Sequence, residues 1–153
     1  MGYLKEIEEC SFSKLEITNE IIINLNKLKK LEIIQYDFCN NISDIKIENA
    51  IKKIYINYSD FSLVTACNNT EGMEIIFLKN VNNVDINKIC KFKNVKKIYL
   101  LNCNVIGISL LEQLESLEYL EVIGSNIDNK ETIGELSKRI KVRYSEEEYF
   151  NVG

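Results

Sequence analysis

The chain carries five cysteines, Cys10, Cys39, Cys67, Cys90 and Cys103, and no histidine. The lack of histidine removes Ser–His and Cys–His nucleophile pairs and every imidazole metal site at once. The cysteines are odd in number and form no CxxC, so neither a disulfide framework nor a zinc site is expected. The densest chemistry lies in CKFKNVKKIYLLNCNV, from Cys90 to Val105, with a thiol at each end and four lysines in its first eight residues. Three readings fit those residue types: a basic patch for nucleic acid, a redox pair of cysteines, or solvated lysines and core thiols on one architectural unit. The last needs the fewest assumptions. Catalytic groupings are thin elsewhere. The six glycines are scattered and form no phosphate loop. GISLL, starting at Gly107, lacks the second glycine of a nucleophile elbow. The pair Glu146-Glu147 is more simply solubilising. No enzyme, no metal and no cofactor is expected.

A length of 153 residues suits one domain with one core. The net charge of −4 argues against a general nucleic-acid or anionic-membrane binder. The start, MGYLKEIEEC, is acidic and has no signal-peptide core, and Glu6 stands where a myristoylation pattern wants Ser or Thr. No apolar run approaches the roughly 20 residues of a membrane span. Free thiols without a leader point to the cytoplasm. The richness in Lys, Ile and Asn is compatible with an AT-rich bacterial genome.

The elements that must position these residues recur. An apolar-x-apolar pair follows a polar pair at Leu31/Ile33, Ile54/Ile56, Ile75/Phe77, Ile98/Leu100, Leu120/Val122 and Ile140/Val142. Their first members differ by 23, 21, 23, 22 and 20 residues. Five residues after each first member stand Tyr36, Ser59, Asn80, Cys103, Ser125 and Ser145, mostly small and polar or thiol-bearing. Such a pair belongs to a short strand that alternates its side chains, with the two apolar residues inward. The residue five further on must turn the chain and bond backbone groups that would otherwise be buried unsatisfied. One unit cannot bury its apolar face alone, so neighbours must stack. KLEIT, Lys14 to Thr18, alternates like an edge strand. NEIIINLNKLKK, from Asn19, reads as a short helix, and helical turns are expected near 109–116 and 130–138.

LNKLKKLEIIQYDF, FKNVKKIYLLNCNV and LEQLESLEYLEVIGSNI share the frame LxxLxxLxLxxNxL. In this the chain resembles the leucine-rich repeat family, over about residues 25–147. The resemblance implies an α/β right-handed solenoid with about six parallel strands on a concave face, centred on residues 32, 55, 76, 99, 121 and 141. Short helices or irregular segments would form the convex face. Residues 1–24 would be an N-terminal cap, and 25–153 the repeats with a capping unit. The resemblance also implies protein binding, and a small acidic member is similar in kind to inhibitor and toxin-immunity proteins of this fold.

On that register the concave face carries Glu32, Tyr55, Ile76, Tyr99 and Glu121, with Tyr119 beside them and Leu78, Leu101 and Ile123 in the next row. An aromatic and aliphatic centre with a charged rim suits a partner protein or a second copy of the chain. A rim row of Lys30, Lys53, Lys97 and Arg139 offers the alternative of a nucleic-acid or other anionic partner.

Overall fold

The computed structural model describes residues 6–147. The ends of the two expected segments, 1–5 and 148–153, and with them the Met1-Gly2 pair, lie outside the described residues. The main sheet has seven parallel strands in chain order: Glu9–Ser13, Ile33–Asp37, Lys53–Asn57, Ile75–Lys79, Lys97–Leu101, Tyr119–Ile123 and Lys141–Ser145. They are called the first to seventh strands below. From the third strand onward each begins 22 residues after the last, at 53, 75, 97, 119 and 141.

Alternation sets their faces. Ile34, Ile54, Ile76, Ile98, Leu120 and Val142 stand in register across the sheet, as do Tyr36, Ile56, Leu78, Leu100, Val122 and Tyr144. All these side chains pack into a single core, only the last strand's pair staying partly exposed. Leu31, Ile51, Met73, Val95 and Leu117, three residues ahead of each inward pair, close that core from the strand-entry side.

Each main strand ends in a residue with left-handed backbone: Lys14, Phe38, Tyr58, Asn80, Asn102 and Gly124, with φ from 48° to 61°. The amide of each donates to the last carbonyl of the next strand, from Lys14 to Asp37 through Gly124 to Ser145. Asn and Gly adopt this conformation at little cost, whereas Phe38 and Tyr58 are bulky residues held in it. One residue later a hydroxyl or thiol turns inward. Ser59 Oγ accepts from the Cys39 amide at 2.8 Å and donates to the Asn57 carbonyl at 3.0 Å. Ser125 Oγ accepts from the Cys103 amide at 2.9 Å and donates to the Leu100 carbonyl at 2.8 Å. Cys103 Sγ lies 3.3 Å from both the Leu78 and Leu101 carbonyls.

The chain then runs through a second, shorter set of parallel ladders. Val84–Asp85, Asn104–Ile106 and Asn126–Ile127 form one, Glu16–Ile17 and Asn40–Asn41 another. Return segments follow: helices Asn19–Leu25, Ser62–Thr65, Ile86–Ile89 and Glu131–Ser137, and a 3₁₀ turn at Ile108–Gln113. The Asn19–Leu25 helix starts where Thr18 Oγ1 accepts the Ile21 amide, and it buries Ile22 and Leu25, three residues apart on one face. All five thiols are free.

Three expectations need correction. The sheet has seven strands rather than six. Its edge strand is Glu9–Ser13, whose inward Cys10 and Phe12 pack on the core, and not KLEIT, where Lys14 makes the turn. The inward pairs are Ile34/Tyr36, Ile76/Leu78 and Val142/Tyr144, in place of Leu31/Ile33, Ile75/Phe77 and Ile140/Val142. The cause is the same each time. LEIIQY, EIIFL and IKVRY each offer more than one apolar pair two residues apart, so alternation leaves the register open. Hydrogen bonding to the neighbouring strands and a preceding core residue, such as Met73, then set it.

Candidate functional site

The other face of the sheet is lined by three rows of side chains. The row nearest strand entry reads Ile33, Lys53, Ile75, Lys97, Tyr119 and Lys141. The middle row reads Gln35, Tyr55, Phe77, Tyr99, Glu121 and Arg143, and the third Asp37, Asn57, Lys79, Leu101, Ile123 and Ser145. Aromatic rings dominate the centre. Tyr55, Phe77 and Tyr99 are direct cross-strand neighbours, with centroids 5.7 and 5.3 Å apart and planes tilted by 45° and 41°. Tyr119 continues the line diagonally, 5.4 Å from Tyr99. Edge-to-face contacts of this kind hold the four rings as one half-exposed ridge over four strands.

A polar network closes one end. The Tyr119 hydroxyl donates to Glu121 Oε1 at 2.7 Å, and Arg143 Nη1 lies 3.5 Å from the same oxygen. That hydrogen bond to a carboxylate, helped by burial, pushes the Tyr119 phenol up to about 12. Burial first, then the Glu121 charge, raises the Tyr99 phenol as well. Glu121 is itself buried, so its charge faces the Tyr119 hydroxyl and Arg143 rather than open water. At the other end Asn57 Nδ2 donates to Asp37 Oδ1 at 2.6 Å, and Asn80 Nδ2 to Asn57 Oδ1 at 3.1 Å.

Tyr55, Tyr99, Tyr119 and Glu121 thus stand together on the expected face. Leu101 and Ile123 point the same way but are 1% and 8% exposed, and both lie outside the main core cluster. Ile76 and Leu78 do not belong here: the register of the fourth strand puts both in the core and brings Phe77 and Lys79 out. Glu32 precedes its strand. Its carbonyl accepts the amides of Lys52 and Lys53, and its carboxylate pairs with Lys52 at 3.1 Å. The expected rim row breaks up too. Lys53 and Lys97 are in the entry row, but Lys30 lies before its strand and pairs with Glu6 at 2.6 Å. Arg139 turns to the return side and donates to the Leu114 and Glu112 carbonyls. Phe77, Gln35 and Lys79 had no place on the expected face. Strict 22-residue steps from Tyr55 would have found Phe77, because they fall on 77, 99 and 121.

The face has no deep cleft. A hollow of about 120 Å³ lies beside Gln35, Tyr55 and Phe77, well under the roughly 300–1,000 Å³ of a small-molecule pocket. A larger groove of about 530 Å³ lies beyond the strand ends, lined mainly by polar groups including Asp60, Asn80, Asn82 and Lys88. Among the described residues no three Cys, Asp or Glu side chains converge as metal ligands. None of the described helices is long and apolar enough to cross a membrane. No family model matches the chain, and no curated protein matches it at a significant level.

Proposed function

We propose that the chain is a right-handed solenoid of the leucine-rich repeat type and a non-catalytic module that binds a partner protein through the concave face of its sheet. In this reading it works in the cytoplasm, and inhibition of a partner, as by a toxin-immunity protein, is the role its small acidic form suits best. Strands that follow one another in space as in sequence, at 22-residue intervals, support the solenoid. The observation that carries the function is the four-ring ridge Tyr55–Phe77–Tyr99–Tyr119. Rigid rings presented side by side, flanked by charge and without a cleft, are the anchors of protein interfaces.

A photo-crosslinking amino acid at Phe77 tests this in native lysate against the same group at Glu112 on the return side. A discrete adduct at Phe77, lost with Tyr99→Ala at unchanged melting temperature, is the expected result. Identical adducts at both positions, or none at either, would refute it.

A further inference from the structure

The charges that flank the ridge alternate from strand to strand. Lys53, Lys97 and Lys141 lead the third, fifth and seventh strands in the entry row, whose other members are Ile33, Ile75 and Tyr119. Neighbouring strands lie about 4.8 Å apart, so successive lysines of the row stand about 10 Å apart. Among the described residues none of the three has a carboxylate partner. One residue earlier the signs also alternate: Glu32, Lys52, Glu74, Lys96 and Glu118 precede the second to sixth strands. The two carboxylates on the face itself are occupied, Asp37 by Asn57 and Glu121 by Tyr119 and Arg143.

We propose that the face takes an acidic segment of the partner, laid across the strands, with carboxylates at about 10 Å intervals over Lys53, Lys97 and Lys141. Apolar side chains between those carboxylates would cover the Tyr55–Phe77–Tyr99 rings. The proposal rests on the protein-binding reading above and names the chemistry of the partner. An extended chain rises about 3.1 Å per residue, so an acidic residue at every third position, roughly 9.3 Å apart, matches the lysine interval. Single-stranded nucleic acid fits less well, on two counts. Its unbroken line of phosphates would meet Glu32, Glu74 and Glu118 between the lysines. Its bases would need stacking faces, whereas the rings tilt by 41–46° at 5.3–5.7 Å and cover one another.

The test uses fluorescence anisotropy with four labelled probes. One is a 13-residue peptide with Glu at every third position and Leu beside each. The second replaces Glu by Gln, the third is an isomer with its glutamates contiguous, and the fourth is a 15-nucleotide oligothymidine. The periodic peptide should bind at least fivefold tighter than the other three. It should weaken severalfold between 50 and 200 mM salt. It should also weaken at least fivefold with Lys53→Gln/Lys97→Gln/Lys141→Gln at an unchanged melting temperature. Oligothymidine binding more tightly, equal binding of the Gln peptide, no effect of the triple variant, or dimerisation in place of peptide binding would each overturn the proposal. The crosslink at Phe77 separates the two levels. If it forms and the acidic peptide does not bind, the binding face stands and only its acidic partner falls; if neither is seen, both fall.

Discussion

Ile76 and Phe77 are adjacent, and the register of the fourth strand gives them opposite fates. Ile76 is fully buried in the core, while Phe77 is half-exposed between two tyrosine rings. Ile76→Ala should therefore leave a cavity and cost about 2–5 kcal/mol. For a chain of this size each kcal/mol moves the melting temperature by roughly 2–4 °C, so the variant should melt roughly 4–20 °C early. Phe77→Tyr should be close to neutral, within about 0.5 kcal/mol, because its neighbours Tyr55 and Tyr99 already present hydroxyls on that face. Inward, the same hydroxyl would be buried without a partner and would cost about 1–3 kcal/mol. Differential scanning calorimetry on the two variants separates the registers. A neutral Ile76→Ala together with a Phe77→Tyr that melts several degrees early would show the strand slipped by one residue, with Phe77 inside.

Other outcomes follow from particular side chains. Tyr36 is fully buried and its hydroxyl has no hydrogen-bond partner, so Tyr36→Phe should raise stability by about 1 kcal/mol in urea unfolding; a loss would show that the hydroxyl is satisfied. Tyr119 keeps its proton up to about 12, above the usual value near 10, so the native state holds a proton there that the unfolded chain has released. Its stabilising effect is complete below pH 10 and fades as pH rises towards 12. Tyrosine NMR titration should show Glu121→Gln returning that phenol towards 10, and an unchanged midpoint would refute the assigned cause. Burial pushes the Cys67 and Cys103 thiols up, to about 12 and about 11. In the native protein the partly exposed Cys10 should therefore alkylate first, and these two only on unfolding. Fast native labelling of Cys103 in a mass-spectrometric time course would contradict its place at the turn.

How much of this was legible in the sequence depended on how many registers each segment allowed. KKIYIN, KKIYLL and LEYLEV each place charge or aromatic residues between their inward apolar residues, and there alternation gave the faces correctly. Tyr55, Tyr99, Tyr119 and Glu121 followed from that. EIIFLK is apolar at four successive positions, so either pair could face in, and the residue at the centre of the ridge was lost. The edge strand Glu9–Ser13 was hidden for another reason. As the end of the sheet it pairs on one side only, and ECSFS offers just a thiol and one ring to the core. The positive-φ positions could be anticipated where Asn or Gly stands, but not at Phe38 and Tyr58, which local preference disfavours. The two are 49% and 54% exposed, with rings stacked 4.7 Å apart. That contact offsets part of the backbone strain and cannot be read from either residue alone.

Sequential strand order also governs how the molecule comes apart. Every pairing in the main sheet joins a strand to the one before or after it in the chain, and no strand closes the sheet into a ring. Loss of order then travels like a zip, one neighbour at a time, instead of through a shared centre. The first strand lacks a neighbour on one side and the seventh on the other, so amide protection should climb from both ends towards Ile75–Lys79 and Lys97–Leu101. The aromatic ridge lies on this best-protected stretch. Fraying at the termini can therefore proceed without disturbing the rings, and the surface offered to a partner outlasts the ends of the structure that carries it.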